Sequence, residues 1–144
     1  MIQNPKKRGE WVELQFLARA TAQGLTVSRP WGDSAAYDAV VENSCGLYRV
    51  QVKSSTFRQC GAYKCITVLR EKGGVIVPYR RDQIDFFAFY LIPEDLWYII
   101  PVSELSGKRA VLLNPLDRKS PYFRYLEAWY LLRARSVPRD AVAR

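Results

Sequence analysis

The stretch "YDAVVENSCGLYRVQVKSS", residues 37–55, sets one carboxylate, Asp38, at the head of a short apolar run. A neutral amide and an ammonium, Gln51 and Lys53, stand at alternate positions near the end of the next run. Elsewhere the chain is poor in catalytic side chains. It contains no histidine, which removes the commonest general base and every Ser-His or Cys-His nucleophile pair. Its three cysteines, Cys45, Cys60 and Cys65, cannot pair completely and, without imidazole, do not make a tetrahedral zinc shell. Any hydrolysis must use carboxylates, lysine and a metal held by oxygen.

Those residue types suit phosphodiester hydrolysis. A divalent cation polarises the phosphate and lowers the pKa of an attacking water. Mg²⁺, with Mn²⁺ as a substitute, prefers oxygen ligands and keeps several waters, so a single carboxylate with backbone and phosphate oxygens can suffice. Asp38 is the expected ligand, joined by the Gln51 side-chain carbonyl and the backbone of Val52. Lys53 would orient the water or stabilise charge building on phosphorus. Glu13 would bring in the missing negative charge, with Glu10 as the alternative.

The elements that must position these groups are short. Residues 7–23 read as a helix closed by Gly24. Its polar side carries Arg8, Gln15 and Arg19. Trp11, Leu14, Leu17, Ala18 and Thr21 form its apolar sector, widened by Val12, Phe16 and Ala20. Glu13 falls away from the polar side, where a carboxylate is costly unless partnered. "LTVS" is a short strand before a Pro/Gly loop, and "YDAVVE" and "LYRVQVKSS" form a hairpin across "NSCG". Alternation sends Arg49, Gln51, Lys53 and Ser55 to one face of that hairpin. An odd register sum puts Asp38 on the same side as Gln51 and Lys53; a slip by one residue removes the site.

Further along, a strand is expected around Tyr63 to Leu69, and "REKGGVIVPYRRDQ" reads as an exposed loop or flap. "IDFFAFYLIP" and "LWYIIPVSEL" form a second hairpin turning at "PED". Phe86, Phe87, Tyr90, Trp97 and Tyr98 are expected in the core, and Asp85 caps a strand or pairs with a basic residue. "SPYFRYLEAWYLLRAR" has the start and spacing of a terminal helix. The order gives an α/β fold over residues 1–144: an N-terminal helix, a central mixed β-sheet of four or more strands and a C-terminal helix, in one domain.

Lysine and arginine outnumber aspartate and glutamate by 22 to 14, a net charge of +8, which favours a polyanionic partner. The cations are dispersed, and Lys64, Arg70, Lys72, Arg80 and Arg81 lie in segments flanking the proposed site in sequence. They are the expected nucleic-acid contacts, since basic groups meet phosphates and arginine reads base edges. No apolar stretch approaches bilayer length and no h-region follows the N-terminal charges, so no membrane association and a cytoplasmic location are expected.

The spacing Glu13…Asp38…Gln51-Val52-Lys53, with "YD" opening one strand and "VQVK" closing the next, resembles the PD-(D/E)XK nuclease superfamily. It is most similar to the group I intron-encoded homing endonuclease branch, in which Gln replaces the acid of the D/E-x-K signature. The similarity extends through "GEWVELQFLARATAQGLTVSRPWGDSAAYD" and "IDFFAFYLIPEDLWYIIPVSEL". The resemblance implies a restriction-endonuclease-like core and metal-dependent cleavage of double-stranded DNA, with Asp38, Gln51, Lys53 and Glu13 as site residues. Because a long target must be spanned, a symmetric homo-oligomer, a dimer or tetramer, is expected. The rival expectations are a structure-selective nuclease of the Holliday-junction or repair type, and a non-catalytic DNA-binding module derived from a nuclease. Tyr37 in place of proline weakens only the motif's spelling; Gln51 in place of an acid bears on metal binding itself.

Overall fold

The computed structural model describes residues 1–70 and 73–133. Asn4 starts its first helix, α1 (Pro5–Ala22): the Asn4 side chain accepts the Lys7 N–H at 3.1 Å and Pro5 supplies the first helical φ. Gly24, at φ +81°, takes the left-handed turn that ends it. The buried stripe is narrower than the sequence suggests. Val12, Phe16 and Ala20, four residues apart, are buried, whereas Leu14 is 55% exposed and Ala18 and Thr21 face solvent.

That stripe packs on a five-stranded sheet. Its strands are β1 (Thr26–Ser28), β2 (Ala39–Asn43), β3 (Gly46–Ser55), β8 (Phe86–Leu91) and β9 (Leu96–Pro101), in the order β1-β2-β3-β8-β9. β3 and β8 run parallel and the other neighbours antiparallel, so the sheet is mixed. β8 is buried at every position, as expected of a central strand covered on both faces. Ala39, Val41, Val50 and Val52 meet Phe16, Trp97 and Trp129 on the helix side. Phe87, Phe89, Tyr98 and Ile100 form the second core on the other side.

A parallel neighbour requires a long crossover, and residues 56–85 provide it. The expected strand at 63–69 is split at Thr67: β5 (Ala62–Ile66) pairs back on β4 (Arg58–Gln59), and β6 (Val68–Arg70) begins a separate hairpin with β7 (Ile76–Pro78). Thr67 is buried and donates its hydroxyl to the Lys108 carbonyl at 2.6 Å, which fixes the break. β10 (Ala110–Leu113), absent from the sequence reading, pairs with β5.

The expected C-terminal helix is corrected. Through Arg133 the chain makes two 3-10 turns, Phe123–Tyr125 and Trp129–Leu132, separated by Glu127 at φ +51°. Hydrogen bonds to β9 explain the interruption. The Glu127 N–H donates to the Trp97 carbonyl at 2.7 Å, and its carboxylate accepts the Trp97 N–H at 2.8 Å and the Trp129 indole N–H at 2.7 Å. Leu126 bridges Tyr98 alongside. The helical spacing reflects burial of Tyr125, Trp129 and Leu132, not a continuous helix.

Candidate active site

The β2–β3 register fixes the first relationship. Asn43 stands opposite Gly46, so Ser44 and Cys45 form a two-residue loop, and Ala39 faces Val50. Every pair sums to 89, the odd parity that sends Asp38 toward Gln51. Asp38 continues the pairing just beyond the ladder: its N–H donates to the Val50 carbonyl at 2.9 Å and its carboxylate accepts the Val52 N–H at 2.9 Å.

Gln51, Val52 and Lys53 follow on β3, beside β8. Gln51 is opposite Phe87 and Lys53 opposite Phe89, so both polar side chains share a sheet face with these two rings. Gln51 is 9% exposed, and its amide donates a long 3.5 Å contact to the Val52 carbonyl. The Lys53 ammonium sits 5.5 Å over the Tyr79 ring. Glu13 arrives from α1 and pairs with Arg29 at 2.9 Å. Arg49 shares the Gln51 face but is committed to structure. It binds Asp85 through its Nε at 3.1 Å and its backbone N–H at 2.7 Å, and donates to the Arg81 carbonyl at 3.1 Å and to the Asp82 carbonyl.

Two clefts meet here. One is lined by Glu13, Asp38, Gln51, Val52, Lys53 and Ser54; the other by Lys6, Glu10, Glu13, Arg29, Tyr37 and Asp38. Glu13 and Asp38 line both, so Glu13 shares a cleft with Asp38, Gln51 and Lys53, whereas Glu10 lines only the second. Burial raises the pKa of Asp38, against the Val52 hydrogen bond and the charges of Lys53 and Arg29. Burial also raises that of Glu13, assisted by the Asp38 charge and opposed by Arg29. Lys53 is shifted down by burial, with Asp38 opposing.

Among the described residues no three histidine, cysteine or acidic side chains gather as a metal cluster. The oxygen donors at the site are instead two carboxylates, the Gln51 amide and the Val52 carbonyl. Two partly buried carboxylates, one side-chain amide oxygen and one backbone carbonyl form an all-oxygen donor set that fits a hard divalent cation once the carboxyls are ionised.

The family model for the PD-(D/E)XK endonuclease matches residues 3–132. The chain belongs to that family. The chain is also similar in structure to the bacterial homing endonuclease I-Ssp6803I, with a TM-score of 0.77 and 29% identity. That match covers 98% of this chain and 97% of the other. MepB matches with a TM-score of 0.46 and 13% identity over 78% of this chain and 94% of its own, too loosely to carry an argument. No curated protein matches the chain significantly.

The other sequence-derived residues fall elsewhere. Lys64 and Arg70 are exposed and share a groove with Ile66, Val68, Ile76 and Arg109, apart from the two clefts. Arg80 and Arg81 are exposed on the turn after β7, with Arg80 paired to Asp82 at 2.9 Å. Lys72 lies outside the described residues. Sequence reasoning missed Arg29 and Tyr79. The proline after Arg29 marked only a loop, and Tyr79 sits within "VPYRR", which its basic neighbours made look solvent-facing.

Proposed function

We propose that this chain is a divalent-metal-dependent, homing-endonuclease-like enzyme that hydrolyses phosphodiester bonds of double-stranded DNA. The observation that carries the reading is the convergence of Asp38, Gln51, Lys53 and Glu13 on one cleft from two strands and a helix. The likeness to a bacterial homing endonuclease over nearly the full length of both chains supports the finer assignment.

Asp38, the Gln51 carbonyl oxygen and the Val52 carbonyl would hold Mg²⁺ or Mn²⁺. When bound, that cation polarises the phosphate and acidifies a water. The chain's own groups do the remaining work. Asp38 is aimed by its hydrogen bond from Val52, so its free oxygen is presented without a rotamer search. Lys53 Nζ donates to the attacking water or to a non-bridging phosphate oxygen, offsetting the charge that grows as the new P–O bond forms and the bridging one breaks. Glu13, steadied by Arg29, adds negative charge from the helix. A homo-oligomer would let one small chain span a long target.

The second reading is a DNA-binding module, favoured by Gln51 standing where a charged ligand is expected. Supercoiled plasmid with Mg²⁺ or Mn²⁺ separates the two. Cleavage by the wild type, abolished by chelation and by both Asp38→Ala and Lys53→Ala, supports the enzyme. DNA binding by all three proteins without cleavage of any substrate would overturn it.

A further inference from the structure

Tyr79 follows β7 directly and is 9% exposed, although the hairpin before it is largely open to solvent. Its ring meets Phe87 edge-on at 5.3 Å and 88°, and Phe87 in turn stacks on Phe89 at 5.2 Å. Phe87 and Phe89 are the β8 partners of Gln51 and Lys53. The row of rings beside β3 therefore ends in Tyr79, and the Lys53 ammonium rests 5.5 Å over that ring.

The Lys53 ammonium has no hydrogen bond or ion pair to another described residue; Asp38 acts on it through space. A lysine carries four rotatable side-chain bonds and a compact charge, so an unanchored ammonium samples many positions. A ring face is a directional anchor that forms no conventional hydrogen bond and leaves N–H donors free on the cleft side. A carboxylate partner would occupy one of them.

We propose that Tyr79 is a positioning residue for Lys53: its ring, clamped against Phe87, holds the ammonium over the cleft and ties it to the β6–β7 hairpin. The position of the hairpin is thereby transmitted to the catalytic strand. The hydroxyl is dispensable and the ring is not. This inference rests on the nuclease reading for its rate effects, but the contact itself does not.

The test compares wild type with Tyr79→Phe and Tyr79→Leu in single-turnover cleavage of target DNA, alongside DNA Kd. Tyr79→Phe is expected to cut within about twofold of wild type, and Tyr79→Leu roughly 3- to 30-fold more slowly at unchanged Kd, the range a cation–π contact spans. Should Tyr79→Leu fail to fold, fluorinated phenylalanines at position 79 decide: the rate must fall with each added fluorine. A wild-type rate for Tyr79→Leu, or a rate indifferent to fluorination, overturns the proposal. If the wild type cuts nothing, the nuclease reading has failed instead. The contact is then read by NMR, where ring-current shifts of the Lys53 methylene protons must persist in Tyr79→Phe and vanish in Tyr79→Leu or on fluorination. Their absence in the wild type also overturns it.

Discussion

Asp38 and Val52 are joined by a carboxylate-to-amide hydrogen bond of 2.9 Å that extends the β2–β3 pairing past the end of the ladder. The side chain that would hold the metal thus also closes the hairpin. Its removal has two separable effects. Asp38→Asn keeps an oxygen for the Val52 N–H and loses only the charge; Asp38→Ala loses both. Both variants are expected to cleave at least about 100-fold more slowly, since each 1.36 kcal/mol of lost charge stabilisation is about tenfold in rate. Only Asp38→Ala should unfold more easily, by about 1 kcal/mol, in urea titrations.

Gln51→Glu restores the acidic residue of the family signature at a position that is 9% exposed. Without a cation the new carboxylate is desolvated beside Asp38, and the fold should lose about 1–3 kcal/mol. Added Mg²⁺ should return about 2.7 kcal/mol at a concentration 100 times its Kd. Thermal melts of both proteins with and without Mg²⁺ measure this. A variant whose Tm ignores the cation would show that Gln51 does not face it.

Asp38 and Glu13 both have pKa values raised above their unfolded values. The folded chain therefore binds more protons than the unfolded chain between the ordinary carboxylate range and the raised values. Through that window these two groups make stability fall as pH rises. A bound cation selects the ionised form, so Mg²⁺ should flatten or invert that slope, and metal affinity should weaken on acidification. Melts across weakly acidic pH, compared with the double variant Asp38→Asn/Glu13→Gln, test the sign. The double variant should lack this component in the metal-free series.

Arg70 and Arg81 are exposed and make no side-chain ion pair with a described residue. If they meet phosphates, replacing either by Gln should lower the slope of log Kd against log salt by about 0.9. Arg80→Gln should change it less, because its guanidinium already holds Asp82. Binding isotherms at several salt concentrations check both. An unchanged slope for Arg70 and Arg81 places the DNA on another face.

The hairpin was legible because it depends on alternation and turn chemistry, both local; its parity stood only as a condition, which the Ser44-Cys45 loop meets. Burial of Phe87, Tyr90 and Trp97 was legible for the same reason. Glu13 could be picked out because a helix wheel shows a carboxylate off the polar side. Its ion pair to Arg29 could not, since that depends on how a Pro/Gly loop folds back. Tyr79 was hidden by basic neighbours, because its burial comes from a crossover packing onto Phe87. The terminal segment misled the reading for a physical reason: the spacing of buried residues in two 3-10 turns imitates that of a helix, and the hydrogen bonds that break it come from β9.

Those bonds have one more consequence. β9 is an outer strand of the five-stranded sheet, and an outer strand offers unpaired N–H and C=O groups to any passing chain. Glu127 takes both groups of Trp97, one with its backbone and one with its carboxylate, while Leu126 bridges Tyr98. Where the spacing suggested a helix, the protein has instead a guard against self-templated aggregation, built from a single glutamate with a left-handed backbone.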